Sequence, residues 1–187
     1  GYVLDSTPVS FDVTEENSTQ EGGITLIKVD KPNMAQKGTI SVEKTGEVFF
    51  GVNVSGEEDK DVIYQPVYKV KGLAGAVYEI TADEDVITPD GTLRYHKGDV
   101  VDTVTTDEDG TAKSKELYLG KYTVVETKAP TSMVINKEKH SVELTYAGQD
   151  VAVTETATSF VNERQKVKIS LEKILEQDET FGIGKND

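Results

Sequence analysis

Gln36-Lys37-Gly38-Thr39-Ile40-Ser41-Val42-Glu43-Lys44 alternates polar and apolar side chains from Thr39 onward, the period-two pattern of a strand with one buried face. The stretch occurs twice. Gln165-Lys166-Val167-Lys168-Ile169-Ser170-Leu171-Glu172-Lys173 aligns with it without a gap and is identical at most positions, and the same offset places Asn33 on Asn162. Farther upstream, the run from Val3-Leu4-Asp5 to Ser10-Phe11-Asp12-Val13-Thr14 resembles Val134-Ile135-Asn136 to Ser141-Val142-Glu143-Leu144-Thr145 with a two-residue gap. Such self-similarity fixes unit boundaries before any fold is assumed. The simplest parse makes 1–35 the last strands of a preceding repeat, 36–166 one complete unit, and 167–187 the first strand of a following repeat.

The rest of the chain carries the same kind of signal. Lys121-Tyr122-Thr123-Val124-Val125-Glu126 and Ser141-Val142-Glu143-Leu144 are further short runs of β-favouring residues, and no segment has a helical period with caps. Asp90-Gly91 and Asp109-Gly110 sit between such runs and predict turns, the first of them in a hairpin. The expected class is all-β.

Composition narrows the function classes. In 187 residues, 36% are hydrophobic and 29% charged, which suits a folded domain with a core of its own. A net charge of −14 without any Lys/Arg-rich stretch argues against nucleic acid, whose phosphates need a basic face. The absence of cysteine excludes disulfides, thiolate nucleophiles and cysteine-ligated zinc. No apolar run is long enough for a membrane helix, and Gly1-Tyr2-Val3-Leu4 lacks the regions of a signal peptide, so the chain is expected to be either cytoplasmic or an excised piece.

Residues two apart on a strand share a face. Lys44 therefore falls with Ile40 and Val42, Glu126 with Tyr122 and Val124, and Asn162 with Phe160. Each polar group lies on the apolar side of its strand. A lone charge there would cost several kcal/mol or be forced neutral, so the three are tolerable only together.

With these residues goes a resemblance. Gly72-Leu73-Ala74-Gly75-Ala76-Val77-Tyr78-Glu79-Ile80, then Thr106-Asp107-Glu108-Asp109-Gly110, then Tyr122-Thr123-Val124-Val125-Glu126-Thr127-Lys128-Ala129-Pro130, and last Phe160-Val161-Asn162 follow a lysine-bearing strand in this order. The central unit resembles the CnaB-type (SpaA-type pilin, prealbumin-like) repeat domain of Gram-positive cell-surface adhesins and pilins. The resemblance implies a prealbumin-like (Ig-like) β-sandwich with partial flanking modules, on an extracellular, cell-wall-anchored protein whose partners are neighbouring repeats of the same polypeptide. It also implies that Lys44 and Asn162 close an intramolecular isopeptide bond, with Glu126 as proton shuttle. Burial favours the neutral amine and the neutral acid, so the amine can attack an amide polarised by the carboxyl group. By the same register Asn33 and Lys173 are orphan partners of neighbouring repeats.

Family members place the reactive lysine nearer the Leu-x-Gly-Ala segment than Lys44 lies to Gly75. An inserted hairpin or crossover over residues 46–70 is therefore expected, and Lys69 and Lys28 remain competing candidates. Asp107-Glu108-Asp109-Gly110 lacks the spacing and terminal Glu of a calcium loop and predicts a turn. His96 and His140, the only histidines, are expected at the surface, and no cofactor or metal is expected. Three function classes follow: a structural spacer, an adhesive module contacting a host protein or glycan through the 46–70 insertion or loops, and an enzyme. A glycosidase would need a distinct carboxylate pair, and none stands out; tryptophan, the common sugar platform, is absent.

Overall fold

The computed structural model describes residues 1–56 and 62–173, and among these there is no helix. An exposed hairpin comes first, β1 (Thr19–Glu21) with β2 (Ile24–Leu26). The sandwich is built from β3 (Lys37–Ser55), β4 (Ile63–Gly72), β5 (Val77–Ala82), β8 (Val100–Thr105), β9 (Thr111–Lys113), β10 (Leu117–Tyr118), β11 (Gly120–Lys128), β12 (Lys139–Leu144) and β13 (Val153–Asn162), with a small hairpin of β6 (Val86–Ile87) and β7 (Leu93–Tyr95) at its side. Asp90 and Gly91 lie in the β6–β7 connection, as expected of a hairpin turn.

One sheet is organised on β3. Along one edge it pairs in turn with β10, β9 and β4, all antiparallel; along the other it runs parallel to β13, from Lys37 opposite Val153 to Gly46 opposite Asn162. The second sheet has the order β12-β11-β5-β8 and is antiparallel throughout. Between the sheets lies the core: Ile40, Val42, Leu117 and Phe160 from the first face Tyr78, Ile80, Ala82, Val104, Tyr122, Val124 and Leu144 from the second. The period-two patterns of β3, β5 and β11 are what turn these side chains inward.

The 46–70 insertion is a hairpin, and it is continuous with the sheet. β3 runs on past the sandwich to Ser55 and returns as β4, so the two form a ribbon with a bulge between Phe49 and Gly51. Phe49, Phe50, Val52, Val54, Ile63 and Tyr64 on this ribbon are exposed.

At the other end, Tyr2 bridges Ala35, Val3 N donates to Met34 O (2.8 Å), and Leu4 N donates to Gln149 O (2.8 Å). Gln36 is buried there: its Nε2 donates to the Gly148 and Val151 carbonyls, and its Oε1 accepts from Ala147 N. Residues 167–173 form no strand and are exposed; 174–187, the remainder of the predicted first strand of a following repeat, lie outside the described residues.

His96 is exposed, but His140 is half-buried, which corrects the expectation of a surface residue. Its ring stacks on Phe160 at 3.9 Å between centroids, and its Nδ1 lies 2.7 Å from Thr158 Oγ1. An imidazole offers an apolar face along with its polar edge, and here β12 sets that face against β13.

Candidate functional site

Lys44, Glu126 and Asn162 come from β3, β11 and β13 and meet between the two sheets. Lys44 and Phe160 stand opposite each other in the parallel ladder, and Asn162 follows two residues on, on the same inward face. Glu126 reaches them from the facing sheet. The side chains of Lys44 and Glu126 are fully shielded, and Asn162 is 3% exposed.

The carboxylate is the hub. Lys44 Nζ stands 3.6 Å from Glu126 Oε1, and Asn162 Nδ2 donates to both Glu126 oxygens at 2.9 Å. Tyr78 OH lies 3.4 Å from Oε1, and the backbone N–H of Asn136 donates to Oε2 at 2.6 Å. Tyr78 is also packed on Phe160, with centroids 4.7 Å apart, so the aromatic wall and the polar cluster share one surface.

Two atoms in this cluster are left without a hydrogen-bond partner. They are Lys44 Nζ and Asn162 Oδ1, both buried. A buried polar atom with no partner bears its full desolvation penalty, about 1–3 kcal/mol and more for a charged group. Burial holds the Lys44 amine below the ordinary lysine range and outweighs the attraction of Glu126, which acts the other way. The Tyr78 hydroxyl is pushed far above its usual range, first by burial and then by the Glu126 charge, so it is a neutral donor.

Chemically the cluster holds an amine nitrogen, a carboxamide and a carboxyl group in a dry pocket. Such a set can pass the amine's proton to the carboxyl group, form a bond from nitrogen to the amide carbon, and return a proton to the departing nitrogen.

The other residues singled out in the sequence lie elsewhere. Lys69 is on the ribbon, its Nζ 3.3 Å from the Phe50 ring centroid. Lys28 is exposed and paired with Asp30. Asn33 and Lys173 are exposed. Sequence reasoning missed two groups that touch Glu126. Tyr78 was within reach of it, since alternation along Tyr78-Glu79-Ile80 turns Tyr78 inward. The Asn136 contact is made by the backbone and leaves no trace in residue identity.

The family model of the SpaA prealbumin-like fold domain matches residues 66–159, half of the chain. The chain belongs to this family. In this SpaA-type domain the matched span begins within β4 and ends within β13, so it takes in Glu126 but leaves out Lys44 and Asn162. No curated protein matches the chain. Among solved structures, the full-length major pilin SpaD from Corynebacterium diphtheriae is similar at 22% identity and a TM-score of 0.43, over 69% of this chain and 30% of that one. The minor pilin GBS52 of Streptococcus agalactiae is similar at 16% identity and a TM-score of 0.43, over 88% and 61%. The Bacillus anthracis TIE protein is similar at 19% identity and a TM-score of 0.41, over 75% and 20%. The chain thus spans between 20% and 61% of the length of these three proteins.

Proposed function

We propose that this SpaA-type domain is a structural stalk module of a Gram-positive cell-wall surface adhesin or pilin, stabilised by an isopeptide bond between Lys44 and Asn162. The observation that carries the proposal is the buried cluster whose two unpaired atoms are the amine nitrogen of Lys44 and the amide oxygen of Asn162. The lysine nitrogen bonds to the asparagine Cγ, the Cγ–Nδ2 bond breaks, and ammonia leaves. Glu126 takes a proton from the amine and delivers one to the departing nitrogen, ending as it began. The reaction happens once per chain, with no external substrate. Holding both reactants in a folded core can supply about 7–11 kcal/mol of the barrier.

The topology gives the bond a mechanical role. Tension entering at the start of β3 and leaving at the end of β13 pulls two parallel neighbours in shear. A covalent link from Lys44 to Asn162 carries that tension past everything between them in sequence. A chain without cysteine has no disulfide for this purpose. In the same reading, residues 1–35 and 167–187 belong to adjoining repeats, and those repeats are the module's partners.

The test is intact-protein mass spectrometry of the wild type beside Lys44→Ala. The wild-type chain is expected to be lighter than its sequence by one ammonia and the variant to have its full mass; a wild-type chain of full mass rejects the cross-link.

One observation favours adhesion as a second reading. The ribbon exposes Phe49, Val52, Val54 and Tyr64 together, and soluble monomers rarely expose a contiguous apolar patch of this kind without a use for it. A host protein or glycan would meet the module there. Substituting Phe49 and Tyr64 by Ser would abolish attachment to host extracellular matrix if the ribbon is adhesive and leave it unchanged if the module is a spacer.

A further inference from the structure

We infer that Asp107, an exposed residue whose carboxylate bonds Asp109 and Thr111 and touches neither Glu126 nor Asn162, is a positioning residue for the Lys44 amine, acting through the Gly110 carbonyl. The inference rests on the cross-linking reading above and concerns what sets its rate.

Lys44 occupies a gap in the sheet. On one edge of β3 the last β9 pair is Glu43 with Thr111, and the first β4 pair is Thr45 with Gly72. Between them, both backbone groups of Lys44 are held by loops: its N–H donates to Gly110 O at 2.7 Å, and its carbonyl accepts from Leu73 N at 3.0 Å. The two loops are pressed together at this point. A Cβ on Gly110 would stand 2.3 Å from Lys44 O and 2.6 Å from Leu73 N, and one on Gly72 would stand 1.9 Å from Asp109 O. Gly110 also has φ +80°, a conformation that side chains disfavour. The chain crossing that fixes the Lys44 peptide groups therefore requires glycine on both sides.

Asp107 shapes the loop that presents Gly110. Its Oδ1 accepts from Asp109 N (3.1 Å) and Thr111 N (2.8 Å), and its Oδ2 accepts from Thr111 Oγ1 (2.9 Å). Its backbone closes the turn twice more, with Asp107 N donating to Thr111 O and Gly110 N donating to Asp107 O. The Thr111 contacts hold the Asp107 carboxyl below the usual carboxylate range. Without the carboxylate, the turn loses the bonds that set the direction of the Gly110 carbonyl, and the Lys44 Cα loses its fixed point. An amine at the end of a four-carbon stem amplifies such a shift; a misplacement of about 1 Å can cost roughly 10²-fold in rate.

The experiment uses the full 187-residue chain, made by chemical synthesis and kept in denaturant so that it has never folded, then refolded by dilution, with intact mass read on samples quenched in acid over time. Asp107→Ala is expected to regain the wild-type circular dichroism and lose its ammonia about ten-fold more slowly or worse. Asp107→Asn, which keeps an oxygen for the Asp109 and Thr111 amides, is expected to recover most of the rate. The rate–pH midpoint stays where the wild type has it, because the burial of Lys44 and its distance to Glu126 set that value, and only the plateau falls. Thr111→Ala removes only the hydroxyl contact and carries the test if Asp107→Ala does not refold; it too is expected to slow the reaction. Wild-type rates in a folded Asp107→Ala or in Thr111→Ala overturn the role of Asp107. A wild-type chain that never loses ammonia overturns the cross-linking reading itself, and this inference with it.

Discussion

Lys44 in the first strand of the sandwich and Asn162 in the last both reach into the dry interior beside Glu126, and the parallel pairing of β3 with β13 puts them there. The arrangement leaves an unpaired amine and an unpaired amide oxygen in the core, which is costly unless they react.

The first expectation separates the cross-link from the packing around it. Lys44→Met replaces the amine with an apolar chain of similar length and prevents the bond without leaving a buried cation. In the chain-entropy picture a link closing a loop of about a hundred residues is worth on the order of 4–5 kcal/mol, so this variant should unfold at lower guanidinium concentration by that amount. Equal midpoints would mean that no covalent link holds the wild type.

Removing the acid is expected to be worse. Glu126→Ala abolishes the reaction and leaves Lys44 without its counter-charge, and breaking a buried pair in this way costs about 3–5 kcal/mol beyond the missing link. Its denaturation midpoint should fall below that of Lys44→Met, and its intact mass should equal the sequence mass.

Alternation in Thr39–Lys44, Lys121–Glu126 and Phe160–Asn162 was enough to place all three polar residues on buried faces, because strand geometry leaves a side chain only two sides to point to. The extent of β3 was less legible. Its outer half looks like a separate insertion in sequence, since its apolar residues lack a core to face, and only the β4 pairing shows it to be one strand of 19 residues. His140 was misplaced for a similar reason: a half-buried position depends on what packs opposite, here Phe160, and residue type does not encode that. The Asp107–Gly110 turn was recognisable as a turn, but its grip on the Lys44 backbone depends on a loop crossing distant in sequence.

A pH dependence follows from the lowered Lys44 value. In an Asn162→Ala chain, which cannot react, the folded state loses the Lys44 proton at lower pH than the unfolded state, whose lysine keeps the ordinary value of 10.5. Between those two values the unfolded state binds more protons, so stability rises with pH and levels off above about 10.5. Urea midpoints across the alkaline range should show the rise, and the double variant with Lys44→Met should lack it.

The ribbon should be separable from the chemistry. Beyond Gly46 the β3–β4 pair has no third strand among the described residues, and an isolated hairpin is marginal in water. Hydrogen exchange at the amides of 50–55 and 63–67 should be faster than at 38–44. Replacing the outer ribbon with a short Asn-Gly turn should leave the mass deficit unchanged; its loss would tie the ribbon to the reaction.

The most direct measurement is tandem mass spectrometry of a protease digest of the wild-type chain. The expected product is one branched species joining the peptide that carries Lys44 to the peptide that carries Asn162, lighter than their sum by one ammonia. Recovery of both peptides in linear form with unmodified Lys44 and Asn162 would contradict the account.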